Sequence, residues 1–323
     1  MSERNHDVYT RIAKAQSAEE IHHLLSFEGD DIQALLRQAC IDDAHVEMCT
    51  NLVRLHVFPA CEMLREAVLN LENGKTFEAL YDCIGTLIDQ NELDELFLLS
   101  SAARTDDTVV RYLVNKGANV RATMPMDIYP RVDPYQFEWE DDEDDEDENE
   151  EFVDDTSVRQ NAIVVAIYEN PKPSRMVGYL ISLGVPVNEP DSEGYVPLLH
   201  ALDDEEIVHV LIAGNAEVNV TDPQGNTALM LACESENVAS AIGLIEAGAN
   251  VFTLSKQGYS ALHFALMCHV QDNTEVVRAL LKAGADPNLA DKEGFTPLKL
   301  AMLNCALQSV IEVLKEGGAE YRD

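Results

Sequence analysis

The sequence predicts an all-α fold, a solenoid of stacked helix–turn–helix units with projecting hairpin turns, one of them extended by an acidic insertion. Three observations carry this prediction. A turn string and a closing string alternate along the C-terminal half, with turn glycines 31, 33 and 36 residues apart. The stretches between the strings place apolar residues at helical spacing. A single acid-rich loop interrupts the period. The chain has 323 residues, of which 46% are hydrophobic, enough for a sizeable core.

Residues 1–95 are read as an irregular helical region. IQALLRQAC from Ile32, MLREAVLNL from Met63 and FEALYDCIGTLI from Phe77 each space their apolar residues for one helical face. ALLRQACIDDAHVEMCTNLVRLHV and LREAVLNLENGKTFEALYDCIGTLI read as helical hairpins. They are eroded copies of the repeat or a separate helical cap. Eroded copies are favoured, because stacking buries faces that no single unit can bury alone. Residues 96–122 hold one unit, closed by YLVNKGANV at Tyr112–Val120.

Residues 123–156 are the insertion. The closing glycines Gly117 and Gly184 lie 67 residues apart, about twice the period, and the repeat resumes in TSVRQNAIVVAI. Asn161-Ala162-Ile163 there falls in register with Thr227-Ala228-Leu229. The insertion opens with MPMDIYPRVDPYQFEW, aromatic at Tyr129, Tyr135, Phe137 and Trp139. From Glu138 to Asp155, fourteen of eighteen residues are acidic and none is basic. Self-repulsion and the lack of an apolar face make such a run a solvated linker, or an anionic arm for a basic partner. The two are compatible, since an arm can order on binding. Trp139 is either tucked against the array or exposed as an anchor. No glycine occurs between Gly117 and Gly178, so the sharp turn of a helix–loop–helix calcium site is missing.

Residues 157–323 hold the clearest units. The turn string reads DSEGYVPL at Asp191–Leu198, DPQGNTAL at Asp222–Leu229, SKQGYSAL at Ser255–Leu262 and DKEGFTPL at Asp291–Leu298. Its glycine supplies the positive φ of a tight turn. The Thr or Ser two residues on is a good N-cap, and proline after it suits the first helical position. Thr296-Pro297 keeps both, Val196-Pro197 has lost the cap, and Thr227-Ala228 has lost the proline. The closing string reads LISLGVPVN, LIAGNAEVN, LIEAGANV and LLKAGADPN, with a last copy in LKEGGAEY. Its glycine is the left-handed residue after a helix. Asn215 stands at that position in the second copy, and asparagine is the next best residue for the conformation.

These units resemble the ankyrin repeat family. Its motif T-P-L-H-x-A is partly present as SALHFA at Ser260–Ala265, TPLKLA at Thr296–Ala301, TALMLA at Thr227–Ala232 and VPLLHA at Val196–Ala201. No unit matches at every position, and in the last of these His200 is displaced by one place. The resemblance implies a structural hydrogen-bonding role for His263. It also implies that the insertion extends one of the projecting fingers.

The balance of charge excludes some functions. Asp and Glu total 59 against 22 Lys and Arg, a net charge of −37. A protein that grips nucleic acid directly shows a basic face, and an anionic leaflet repels an acidic chain. The N-terminus lacks the apolar core of a secretory signal, and no run is long enough for a membrane-spanning helix. The seven cysteines, with no C-x-x-C pair, read as buried reduced thiols in a cytoplasmic protein. No P-loop, dinucleotide fingerprint, zinc-protease helix or nucleophile elbow occurs. His22 and His23 point to different helix faces, a poor metal pair. No catalytic, metal or cofactor site is expected.

The reading is a non-catalytic interaction module for a basic protein partner, such as a nuclease-like toxin or a nucleic-acid-binding enzyme, with a possible role as inhibitor or immunity protein. The alternatives are a general scaffold or chaperone with a solubilising acidic loop, and an enzyme using the N-terminal helical region. Two sets of residues are the candidate contacts. The first is Trp139, Glu140, Asp141, Asp142, Glu143, Asp144 and Asp145 in the insertion. The second is Tyr195, Asn226, Tyr259 and Phe295, each following a turn glycine. Their rings either pack against the neighbouring turn or form an aromatic contact stripe. Asp191, Glu193, Asp222, Asp291 and Glu293 at the same turns would make that stripe anionic. Asp203-Asp204-Glu205-Glu206 reads as a solvated turn between helices.

Overall fold

The computed structural model describes residues 3–21, 46–55, 57–70, 74–103, 107–125, 159–235, 237–267, 273–304 and 307–320. The chain forms two compact units, Met1–Pro171 and Lys172–Asp323.

In the first unit the helices are α1 (Glu3–Lys14), α2 (Val46–Arg54), α3 (Ala60–Asn70), α4 (Gly74–Ile84), α5 (Gln90–Ala102), α6 (Asp107–Asn115) and α7 (Ala162–Glu169). They pack in two alternating rows. α3 lies on α5 and α5 on α7, while α1 lies on α2, α2 on α4 and α4 on α6. α3 pairs with α4 and α5 with α6. The hairpin read from LREAVLNLENGKTFEALYDCIGTLI therefore forms, as α3 and α4. IQALLRQAC lies outside the described residues. α5 is flanked on both sides of its row, and Leu96, Phe97, Leu98 and Leu99 are all buried. Its start is fixed by a capping box. The Asp89 carboxylate accepts from the Glu92 N–H at 2.9 Å, and the Glu92 carboxylate accepts from the Asp89 N–H at 2.8 Å. The Arg65 guanidinium pairs with Glu95 between α3 and α5.

Two short strands, β1 (Thr123–Pro125) and β2 (Arg159–Asn161), pair antiparallel with Thr123 opposite Asn161 and Pro125 opposite Arg159. The insertion therefore begins with a strand at its first three residues, and the chain returns beside its point of departure. Residues 126–158, with Trp139 and Glu140 to Asp145, lie outside the described residues. Asn161 then caps α7, its side-chain oxygen accepting from the N–H groups of Ile163 and Val164. This is the role its register with Thr227 requires.

The second unit holds α8 (Pro173–Ser182), α9 (Pro197–His200), α10 (Glu205–Ala213), α11 (Ala228–Glu234), α12 (Val238–Glu246), α13 (Ala261–Met267), α14 (Thr274–Lys282), α15 (Pro297–Leu303) and α16 (Gln308–Glu316). α8, α10, α12, α14 and α16 stack as one row, and α11, α13 and α15 as another. One leucine per unit fills each row. Leu198, Leu229, Leu262 and Leu298 come from the turn strings, and Leu180, Leu211, Leu244, Leu280 and Leu314 from the closing strings, all buried. Fully burying each contributes about 1.5–3 kcal/mol. α9 has only four residues, in the unit with the shortest turn spacing and no Thr cap.

The helices before the closing glycines end alike. The N–H of Ala216 donates to the Leu211 carbonyl at 2.9 Å and that of Asn215 to Ile212 at 3.0 Å. The same pair recurs after α6, α8, α12, α14 and α16. This double closure requires a left-handed residue. Asn215, at φ 67°, is the one non-glycine with positive φ among the described residues, as the register required.

The cysteines depart in part from expectation. Cys49 and Cys233 are buried, Cys61 is half-buried and Cys83 is exposed. Burial pushes the Cys49 thiol up to about 12 and Cys61 up to about 11. Cys40, Cys268 and Cys305 lie outside the described residues. No described helix is long and apolar enough to cross a membrane.

Candidate protein-interaction surface

The four turn strings of the second unit fold into one repeated hairpin. In each, the first residue exchanges backbone hydrogen bonds around the turn. The Asp191 N–H donates to the Tyr195 carbonyl at 2.8 Å, and the Gly194 N–H donates back to the Asp191 carbonyl at 3.1 Å. Asp222, Ser255 and Asp291 repeat the arrangement. The side chain at this position closes the turn from within. Asp191 Oδ1 accepts from the N–H groups of Glu193 and Tyr195, both at 2.9 Å. Asp222 accepts from Asn226, Ser255 from Tyr259, and Asp291 from Glu293 and Phe295.

This corrects the expected anionic stripe. Asp222 and Asp291 are buried, and the Asp191 side chain is 1% exposed with its second oxygen 2.9 Å from His200 Nε2. Three of the five turn acids thus hold the hairpins, and only Glu193 and Glu293 face water. Two lysines in the same row offset them. Lys256 Nζ donates to the Pro223 carbonyl at 3.1 Å, and Lys292 reaches the Lys256 carbonyl. The tips are mixed in charge and tied from one hairpin to the next.

Tyr195, Asn226, Tyr259 and Phe295 occupy equivalent places, and each is half-buried. The Tyr195 hydroxyl lies 3.3 Å from Gln224 Oε1 of the following hairpin, and its ring is 5.9 Å from His200. Tyr259 packs edge-on to Phe264 at 6.1 Å. Lys299 Nζ sits 5.0 Å from the centre of the Phe295 ring. Asn226 turns inward to Asp222 Oδ2 at 3.0 Å. The three rings therefore pack in part and leave an edge to solvent. Asp203 to Glu206 are exposed, and Asp204 caps α10 by accepting from the Glu206 and Ile207 N–H groups.

His263 is buried and ties two repeats. Its Nδ1 accepts from the Ser260 N–H at 3.1 Å, and Nε2 donates to the Phe295 carbonyl at 3.2 Å. Burial holds its pKa below the ordinary 6.5, only partly opposed by the Phe295 carbonyl and the nearby Asp291 carboxylate. The unfolded chain therefore takes up this proton at higher pH than the folded one. The contribution is complete above pH 6.5 and is lost as pH falls below it. Urea unfolding between pH 7.5 and 5.5 is expected to show wild type losing stability more steeply than His263→Gln. Parallel profiles would refute the assignment.

The asparagines of the closing strings, to which the sequence assigns no role, tie one unit to the next. The Asn188 side-chain amide donates to the Asn215 carbonyl at 3.2 Å, and its oxygen accepts from the Glu217 N–H at 2.9 Å. Asn288 makes the same pair with Gly318 and Glu320, both at 2.8 Å. Asn219 accepts from the Asn250 N–H at 2.7 Å. Recurrence of V-N or P-N ending four residues after the left-handed closing residue was the available signal.

Paired helices in two rows, joined by hairpin turns and clipped unit to unit, define a helical repeat protein. The ankyrin repeats family matches in three overlapping copies, residues 162–254, 201–291 and 242–323. The chain belongs to the ankyrin repeat family. It is similar to an ankyrin repeat protein of Fowlpox virus (strain NVSL), 31% identical over 148 residues, 43% of this chain and 42% of that one. It is also similar to the E3 ubiquitin-protein ligase KEG of Arabidopsis thaliana, 33% identical across 36% of this chain and 7% of the ligase. The chain thus spans less than half the length of these relatives. An ankyrin repeat domain from Acinetobacter baumannii AYE, solved by crystallography, superposes with a TM-score of 0.53 at 24% identity. The match covers 72% of this chain and all of that domain, and shows the fold alone.

Ankyrin repeats imply protein–protein interaction.

Proposed function

We propose that this chain is a non-catalytic interaction module that binds, and can inhibit, a basic protein. The observation that carries the proposal is the net charge of −37 on a family of protein-binding repeats. The acidic run from Glu138 to Asp155 holds fourteen of those charges, and it falls in the stretch of sequence between β1 and β2. Electrostatic capture by this arm precedes docking on the row of Tyr195, Tyr259 and Phe295. Charged rims set encounter rate and selectivity, and aromatic anchors set lifetime. A nuclease-like toxin or a nucleic-acid-binding enzyme has the required cationic surface, and covering it would make this chain an inhibitor or immunity factor. Residues 1–95 extend the array as eroded repeats, a reading supported by the two-row packing of α2 to α6.

The test is binding to a panel of cationic proteins at low and high salt, with Tyr195→Ala and Phe295→Ala compared to wild type. Binding that weakens with salt, and off-rates that rise in both variants while melting stays nearly constant, support the proposal. A chain that ignores every cationic protein at low salt ends it.

A further inference from the structure

Three of the four closing strings between Leu180 and Asn288 carry the asparagine clip, and one does not. Phe252 stands at the position that Asn188, Asn219 and Asn288 hold in those three. A phenyl ring can make neither of the clip's hydrogen bonds. Nor does burial compensate, because Phe252 is 69% exposed, the most exposed large apolar side chain among the described residues. The ring lies beside Gly284, where a Cβ would meet it at 3.5 Å. Leu254, two residues on, is 44% exposed. A residue that abandons a tie used by its neighbours, and gains little packing in return, marks a function rather than the fold.

The loops of this row also carry carboxylates in register. Glu217, Asp286 and Glu320 each stand two residues after the left-handed residue that closes a helix, and all three are exposed. An exposed apolar pair in a row of loops that carries exposed acids asks for a partner with the opposite sign and an apolar side chain of its own. A second copy of this chain would bring like charges together, which disfavours self-association. A lysine or arginine can lie over the Phe252 face and pair with Asp286.

We propose that Phe252 and Leu254, with Glu217, Asp286 and Glu320, form a docking surface for a basic protein segment carrying an apolar anchor. The inference rests on the basic-partner reading above and adds contact residues distinct from Tyr195, Asn226, Tyr259 and Phe295.

The experiment selects random phage-displayed peptides on the wild-type protein and rebinds the clones to two variants. Phe252→Asn restores the clip residue, and Asp286→Asn with Glu320→Gln removes charge. Expected clones combine Lys or Arg with an aromatic or long aliphatic residue. They bind Phe252→Asn at least about tenfold more weakly, the loss expected at a contact hot spot. That variant melts no lower than wild type, and the charge variant loses affinity mainly at low salt. Basic clones that bind Phe252→Asn as well as wild type would sink this surface and leave the basic-partner reading standing. Neutral or acidic clones, or no enrichment, would sink both. A clear fall in the melting temperature of Phe252→Asn would make the ring a packing residue and overturn the inference.

Discussion

Leu262→Ala is expected to lower the stability of the second unit by about 2–5 kcal/mol. Leu262 is fully buried in α13, which packs against α11 on one side and α15 on the other. Truncation removes the transfer energy of the lost carbons and leaves a cavity that two neighbouring repeats cannot both close. Because each repeat touches only its neighbours, weakening a middle one uncouples those on either side. Urea denaturation should show a lower midpoint, and a shallower or split transition if the coupling fails. The control is Leu87→Ala at a side chain 64% exposed, where the change should stay within about 0.5 kcal/mol. Equal loss in the two variants would contradict the stacking of α11, α13 and α15.

Neutralising the acidic residues between Glu140 and Glu151 is expected to slow association with a cationic protein by about 10- to 1,000-fold at low salt. Twelve positions of this run carry eleven carboxylates and one asparagine, so its field is concentrated in a short stretch. Such steering is screened beyond about 10 Å at 0.1 M salt. The variant and wild type should therefore converge as salt rises, while off-rates and melting change little. Stopped-flow association across a salt series reads this directly. Unchanged association at low salt would assign the run to solubility, the scaffold alternative, rather than to capture.

Much of the fold was legible from local chemistry. The glycines of the turn and closing strings, the Thr caps and the lone Asn215 exception are all backbone requirements, and each is met within a few residues of chain. The candidate surface was less legible. Equivalent placement of Tyr195, Tyr259 and Phe295 followed from register, but the sign of the charge around them did not. Asp222 and Asp291 look like surface acids in the sequence and are buried as turn closures instead, because their side-chain oxygens accept from backbone N–H groups of the turn, one at Asp222 and two at Asp291. The roles of Lys256 and Lys292 are not visible in the sequence, because their contacts lie on hairpins more than thirty residues away.

By itself the sequence determined the repeat, its period, the place of the insertion and the chemistry each turn needs. These depend on φ angles, caps and apolar spacing, which act over a few residues. Only the tertiary structure decided which polar groups face water and which bind the next repeat. Asn188 clips one unit to another while Phe252, in the same register, stands exposed. A side chain's exposure is set by the neighbour stacked against it, and that neighbour lies about one repeat away along the chain.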